Sequence, residues 1–137
     1  MRKINKIIIH CSATPQNRKV SVNTIRKWHL QRGFNDIGYH YVIHLDGKIS
    51  VGRPIEKVGA HCAYENIGSI GLCYVGGMTK DMKKPKDTRT QAQKDSLIKL
   101  MHELIYKYNK DMTIHGHNEY ANKACPCFDV QKEYANL

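Results

Sequence analysis

Histidine and cysteine are the residue types whose spacing in this chain suggests chemistry. The 137 residues include eight histidines and five cysteines. His10 ends an apolar run, and the ends of such strands are where α/β sheets usually place their sites. His117 ends a second candidate strand, and Cys125 follows eight positions later. A loop of that length can fold back so that both side chains reach one ion.

Two imidazoles and one thiolate form a donor set that suits zinc. Three protein ligands leave the fourth position of a tetrahedral ion open to water or substrate, as in catalytic sites. The spacing leaves other assignments open, because His115 shares a strand face with His117 and Cys127 can replace Cys125. A closed structural site made of those two histidines and two cysteines is the alternative interpretation.

The charge of the chain favours anionic partners. Lys and Arg number 22 against 12 Asp and Glu, which gives a formal net charge of +10. Nucleic acid, an anionic membrane or an anionic cell-wall polymer would each match this charge, as would a merely soluble surface. No aromatic-interleaved basic strand or helix-turn-helix pattern occurs, so nucleic acid is not expected as a partner. The cysteines lack the spacing of a disulfide framework and are expected to be reduced thiols.

Local patterns predict the elements that must position these residues. Consecutive β-branched residues predict a buried strand from Lys6 to His10. Apolar residues at helical spacing predict a helix from Ser21 to Arg32, with Trp28 in the core. Asp46-Gly47 predicts a hairpin with a two-residue turn between strands at 39–45 and 48–53.

The second half of the chain continues the alternation of strands and helices. Residues 69–75 have strand composition, and Lys80 to Arg89 is predicted to be a solvated basic loop. Thr90 and Gln93 form a capping box that begins a helix with an apolar face. Residues 113–117 predict another strand, and Asp129 is a candidate cap for a short terminal helix. These patterns predict one sheet layer with helices packed against it.

Five sequence blocks extend in order over nearly the whole chain. They are His10-Cys11-Ser12-Ala13-Thr14, Gly38-Tyr39-His40-Tyr41, Val58-Gly59-Ala60-His61, Ser69-Ile70-Gly71-Leu72 with Val75-Gly76-Gly77, and Gly116-His117-Asn118-Glu119 with Lys123-Ala124-Cys125-Pro126. Together these blocks resemble the type-2 N-acetylmuramoyl-L-alanine amidases. That family contains the amidase-type phage lysozymes and the peptidoglycan recognition proteins.

The resemblance implies a fold for the chain. It implies a mixed α/β fold, with one zinc amidase domain over residues 1–137. A single central mixed β-sheet of roughly five to six strands would be flanked by helices. The zinc site would lie in a surface groove.

The resemblance also implies a ligand set. One zinc ion per chain would be held by His10, His117 and Cys125, which resolves the alternatives left by spacing. Two positions depart from the family pattern: Cys127 is a second cysteine after the ligand, and Asn122 stands where proline is frequent.

Roles for four further side chains come from the same resemblance. Tyr39 and Lys123 match the catalytic positions. His40 and His61 match positions that line the groove, and both are expected to bind substrate. For His40 the alternative interpretation is that it only packs beside the strand.

The activity implied is hydrolysis of the amide between the lactyl group of N-acetylmuramic acid and the L-alanine of the stem peptide, as in phage and prophage endolysins. Zinc would supply the nucleophile by lowering the pKa of bound water to about 7. A recognition module that holds muropeptide without cutting it is the alternative, against which Tyr39, Lys123 and Cys125 argue.

Peptidoglycan is therefore the expected partner of a monomeric chain. No apolar run approaches the roughly 20 residues of a membrane span, and no signal-peptide core is visible. The chain is expected to be cytoplasmic when synthesised and to act at the cell wall after release or export.

Overall fold

The strands form one five-stranded mixed sheet and one separate pair, and the computed structural model describes residues 1–137. The strands are β1 (Lys6–Cys11), β2 (Thr14–Pro15), β3 (Tyr41–Ile43), β4 (Ile49–Val51), β5 (Ser69–Tyr74), β6 (Gly77–Met78) and β7 (Thr113–Gly116). The larger sheet has the order β4-β3-β5-β1-β7. Within it only β3 and β4 pair antiparallel, and β1 lies between two parallel neighbours. The predicted mixed α/β architecture is confirmed.

Three helices pack against this sheet. They are α1 (Val22–Gln31), α2 (Gln91–Tyr108) and α3 (Val130–Tyr134), and one turn of 3-10 helix follows β7. The predicted caps are present at all three helices. Ser21 and Asp129 each accept a backbone N–H of the first turn. Thr90 and Gln93 form the reciprocal capping box of α2. None of the helices is long and apolar enough to cross a membrane.

The two faces of the sheet bury different cores, and this decides where His10 lies. Ile7, Ile9 and Cys11 pack in the larger core, which also contains the apolar face of α2. A smaller core under α1 contains Ile25 and Val42, among others. Successive side chains of a strand alternate between faces. His10 therefore lies on the side of the sheet opposite α2.

The hairpin turn differs from its prediction. The backbone N–H of His44 donates to the carbonyl of Lys48, and that of Gly47 donates to His44, each at 2.8 Å. The loop is thus Leu45-Asp46-Gly47, and only Gly47 has positive φ, at +86°. A two-residue turn of the predicted type needs positive φ at both central residues. Asp46 does not adopt it, so the prediction of a two-residue turn is wrong.

Trp28 and the pair of β2 with β6 are further differences. Ile25 and His29 are the buried residues of α1, whereas Trp28 is 36% exposed. Its predicted place in the core is therefore wrong. The two strands of the extra pair have two residues each. Such short strands carry no periodicity that a sequence pattern could reveal.

Arg89 departs from the predicted solvated loop. Its side chain is fully buried, while the lysines before it are exposed. The guanidinium donates to Asp87 at 2.9 Å, to Glu133 at 2.6 Å and to the Tyr134 hydroxyl at 2.8 Å. Its central carbon lies 3.4 Å from the ring centroid of Phe128. These contacts attach the C-terminal segment to the body of the protein.

Removing core volume under α2 should destabilise the fold. Leu97 is fully buried against the sheet, so we expect Leu97→Ala to lower the free energy of unfolding by about 2–5 kcal/mol. The neighbouring Ile98 is 39% exposed, so Ile98→Ala should cost less than about 1 kcal/mol. Urea unfolding of both variants measures the difference, and equal losses would contradict the assigned face of α2.

Candidate active site

A groove opens beyond the carboxyl end of β1. Its walls are α1, residues 60–66 and residues 117–125. Side chains that line it include Trp28, Phe34, Tyr39, His61, Tyr64 and Lys123. Sheets with parallel strands usually place their sites at this edge. The predicted groove is therefore present, and His117 and Cys125 are among its lining residues.

His10, His117 and Cys125 form a cluster whose ligand atoms all lie within 4.8 Å of one another. Nδ1 of His10 is 3.1 Å from Nδ1 of His117 and 3.9 Å from Sγ of Cys125. Ligand atoms at about 2.0–2.3 Å from a tetrahedral ion lie about 3.3–3.8 Å apart. The cluster is thus compatible with a metal site, in both its donor types and its spacing.

The end of β1 positions two members of this cluster. His10 is 1% exposed, and the next residue, Cys11, donates its backbone N–H to Sγ of Cys125 at 3.2 Å. The loop that carries Cys125 is also held by the Tyr74 side chain, whose hydroxyl donates to the Pro126 carbonyl at 2.6 Å. Adjacent residues of one central strand therefore orient both the imidazole and the thiol.

The alternative members of a closed metal site lie apart from this cluster. Nδ1 of His115 is 2.9 Å from a carboxylate oxygen of Glu119, and its Nε2 is 2.8 Å from the Thr113 hydroxyl. Sγ of Cys127 donates to the carbonyl of Gly77 at 3.3 Å. The structure thus brings together the open set of three residues and not the closed set of four.

Burial keeps the two imidazoles of the cluster neutral. Desolvation lowers the pKa of His10 well below 6.5, and neighbouring histidines and Lys123 lower it further. Desolvation also lowers the pKa of His117, and the positive charge of Lys123 adds to this effect. At neutral pH both rings therefore offer a lone pair, which a metal ion requires of a histidine.

Tyr39 packs against the cluster from the side of α1. Its ring centroid is 5.1 Å from that of His10 and 5.2 Å from that of His29. Burial raises the pKa of the Tyr39 phenol well above 10, so the hydroxyl remains protonated and can donate a hydrogen bond.

His29 is a positioning residue that the sequence reasoning missed. Its Nδ1 accepts the backbone N–H of Gly38 at 2.8 Å, next to Tyr39 in the chain. Burial lowers the pKa of His29 to about 4, which keeps this nitrogen an acceptor. The signal was its spacing, because a residue four positions after Ile25 lies on the same buried face of the helix.

Lys123 is exposed at the groove wall. Its positive charge contributes to the lowered pKa of His117 and of His10. The ammonium group therefore acts on both imidazoles of the cluster. The structure therefore brings both Tyr39 and Lys123 to the groove that His117 and Cys125 line.

His61 and His40 take different places, although both match positions that line the groove. His61 lines the groove, is 8% exposed, and has Nδ1 2.8 Å from Nε2 of His10. His40 has no exposed surface. Its Nδ1 accepts the N–H of Gly71 at 3.0 Å, and its Nε2 lies 2.8 Å from the carbonyl of Lys57. His40 therefore lies behind the groove and does not line it.

Aromatic side chains of the groove were also missed by sequence reasoning. Trp28, Phe34 and Tyr64 all line it, and Tyr64 is fully exposed. The guanidinium of Arg32 lies 5.1 Å from the ring centroid of Phe34. Exposed aromatic faces suit ligands with apolar surfaces. Residue spacing gives no sign of such exposure, because it depends on what the rest of the fold leaves uncovered.

Comparison with known proteins gives consistent matches. The family model described as N-acetylmuramoyl-L-alanine amidase matches residues 1–128. The endolysin of Enterobacteria phage K11 is 40% identical over 132 residues, which cover 96% of this chain and 85% of that protein. The endolysin of Escherichia phage T7 is 42% identical over 126 residues, with coverages of 92% and 82%. The solved structure of an endolysin amidase from Clostridium intestinale is 28% identical, with a TM-score of 0.81 over 98% of this chain and 85% of that one.

Proposed function

The chain belongs to the N-acetylmuramoyl-L-alanine amidase family, and we propose that it hydrolyses its substrate at a zinc centre formed by His10, His117 and Cys125. It is a peptidoglycan amidase of the endolysin type. The observation that carries the zinc proposal is the cluster of two imidazoles and one thiol with ligand atoms within 4.8 Å.

The chemistry of the donors supports zinc over other metals. Two neutral imidazoles and a thiolate are soft and borderline ligands, which zinc accepts in a tetrahedral arrangement. The backbone N–H of Cys11 donates to Sγ of Cys125 and holds that sulfur beside Nδ1 of His10. Zinc, when bound, acts as a Lewis acid on a carbonyl and lowers the pKa of water to about 7.

We assign to Lys123 the stabilisation of negative charge on the substrate carbonyl oxygen. Attack on an amide moves a full charge onto that oxygen, and a cation aimed at it is worth more in the transition state than in the ground state. Lys123 is the cation whose field reaches His10 and His117. Its side chain is exposed at the groove wall, where an incoming carbonyl can meet it.

We assign to Tyr39 a hydrogen bond donated to the same oxygen. The raised pKa of its phenol keeps the proton on the hydroxyl, so this group donates rather than accepts at neutral pH. Its packing against His10 and His29 restricts the ring. A donor that is already oriented before the reaction stabilises the charge that develops on the oxygen, and the protein need not rearrange to supply it.

Substrate binding involves the rest of the groove. We propose that the exposed edge of His61 and the aromatic faces of Trp28 and Tyr64 contact the muropeptide, and that His40 supports His61 from behind. The match to phage endolysins supports action at the cell wall. The net charge of +10 is consistent with attraction to an anionic wall.

Zinc analysis tests the ligand assignment. We expect about one equivalent of zinc per chain, because three donors with one open position form a single site. His117→Ala and Cys125→Ser should each lose the metal. The matched controls His115→Ala and Cys127→Ser should keep it, and the reverse pattern would show that other residues are the ligands.

The products of digestion test the bond and the metal together. Purified sacculi treated with the enzyme should release new L-alanine amino termini, without new reducing-end sugars. Chelation should stop this release and added zinc should restore it, because the nucleophile depends on the metal. Mass spectrometry of the products decides the result, and activity that survives complete metal removal would exclude a zinc centre.

Two substitutions test the assigned catalytic side chains. Tyr39→Phe and Lys123→Ala should each lower kcat about 100-fold or more while zinc content and fold remain, because each removes one charge-stabilising donor. Tyr106→Phe, on the exposed face of α2, and Lys86→Ala, in the basic loop, are matched controls outside the groove and should change the rate little. Turnover at the wild-type rate by either metal-loaded variant would remove that residue from the mechanism.

A further inference from the structure

The ring of His61 occupies a place that its proposed contact with substrate does not explain. We infer that His61 is a positioning residue, which fixes the tautomer and orientation of His10 through a hydrogen-bond chain that ends on a backbone carbonyl. This inference rests on the proposed role of His10 as a ligand.

The chain of hydrogen bonds has three links. Nε2 of His10 lies 2.8 Å from Nδ1 of His61. Nε2 of His61 lies 3.2 Å from the hydroxyl oxygen of Ser69. That hydroxyl lies 3.1 Å from the backbone carbonyl oxygen of Asn66. These three hydrogen bonds thus connect the end of β1 to the start of β5 and to the loop before β5.

The carbonyl at the far end sets the direction of every proton. The Ser69 hydroxyl donates its only proton to the Asn66 carbonyl at 3.1 Å, so towards Nε2 of His61 its oxygen can only accept. A buried imidazole is neutral at neutral pH and has a single N–H, so Nδ1 of His61 is an acceptor. His10 must then carry its proton on Nε2.

The consequence reaches the metal cluster. With its proton on Nε2, His10 has a bare lone pair on Nδ1, and Nδ1 is the atom that faces His117 and Cys125. In the opposite tautomer the same atom would be blocked by a proton. The chain of hydrogen bonds therefore holds His10 ready to bind a metal before any metal arrives.

The surroundings of His61 are shaped to this ring. A Cβ atom added at Gly71 would lie 2.6 Å from Cδ2 of His61, and one added at Gly59 would lie 2.7 Å from the same atom. The side-chain oxygen of Asn66 accepts the backbone N–H groups of His61 and Cys62, each at 2.9 Å. Both the ring and the backbone of His61 are thus fixed.

The use of both ring nitrogens separates this role from catalysis. Nδ1 of His61 is occupied by His10, and Nε2 is occupied by Ser69. Neither nitrogen is left to take a proton from substrate or to donate one to it. His61 can touch substrate through carbon atoms, and its polar atoms act on the reaction through His10.

Two variants of nearly equal shape test the inference. The amide oxygen of His61→Asn can accept the Nε2–H of His10, whereas His61→Leu offers no acceptor. Removing the partner of a histidine ligand usually costs 10-fold to 100-fold in metal affinity, so we expect about that loss of zinc affinity in His61→Leu. His61→Asn should recover most of it. Competition with a chromophoric chelator measures the affinities without reference to activity.

Equal losses in the two variants, with both natively folded, would show that His61 only fills space and would overturn the inference. A direct measurement covers the case in which a variant fails to fold. In wild-type metal-free protein, nitrogen NMR of labelled histidines should show the Nε2–H tautomer of His10, and the Nδ1–H tautomer would also overturn it. A wild-type protein that shows the Nε2–H tautomer but binds no zinc would contradict the proposed function and leave the hydrogen-bond chain intact.

Discussion

The site depends on holding His10 neutral inside the protein. The residue lies one position before the end of β1, the strand that pairs with β5 on one side and with β7 on the other, and only 1% of it is exposed to water. Burial without a carboxylate partner lowers the pKa of an imidazole, and this is the direction found for His10. A neutral ring has one bare nitrogen and one N–H, and the structure gives each a separate partner.

The sheet fixes the position of His10 and, through it, that of the Cys125 thiol. A strand between two parallel neighbours cannot shift its register without breaking hydrogen bonds on both sides, and a shift by one residue would reverse its faces. The position of His10 is therefore as fixed as the sheet itself. The N–H of the next residue, Cys11, then fixes Sγ of Cys125 at 3.2 Å, so the thiol is positioned relative to the same strand.

The segment that brings Cys125 to the strand has little regular structure and needs support from elsewhere. Arg89 provides part of it, because its buried guanidinium joins Asp87 to Glu133 and packs over Phe128. Burying a cation is costly unless it is well paired. Here two carboxylates, a hydroxyl and an aromatic face share the charge, so the desolvation cost is offset and the C-terminal segment is held in place.

Local patterns predicted the parts of this arrangement that depend on local interactions. The strand, predicted at residues 6–10 and found at residues 6–11, and the caps of the helices follow from residue type and spacing. The choice of His117 over His115 needed the resemblance, because two residues of one strand face are equivalent until their neighbours are known. For a related reason, sequence reasoning left open whether His40 lines the groove or packs beside the strand. Both match a groove position, and only the packing of β5 places one behind the other.

The structure divides the site into a centre that the sheet fixes and walls that it does not. The donors and the ring of His61 depend on β1, β5 and residues such as Gly71, where any side chain would displace that ring. The walls come from α1 and two irregular segments, and side chains such as Trp28 and Tyr64 project from them into open space. Substitution of an exposed wall side chain such as Tyr64 disturbs no buried partner, whereas substitution of His10 or His61 does. The packing at the strand ends therefore restricts the residue type at only a few positions, of which Gly71 is one.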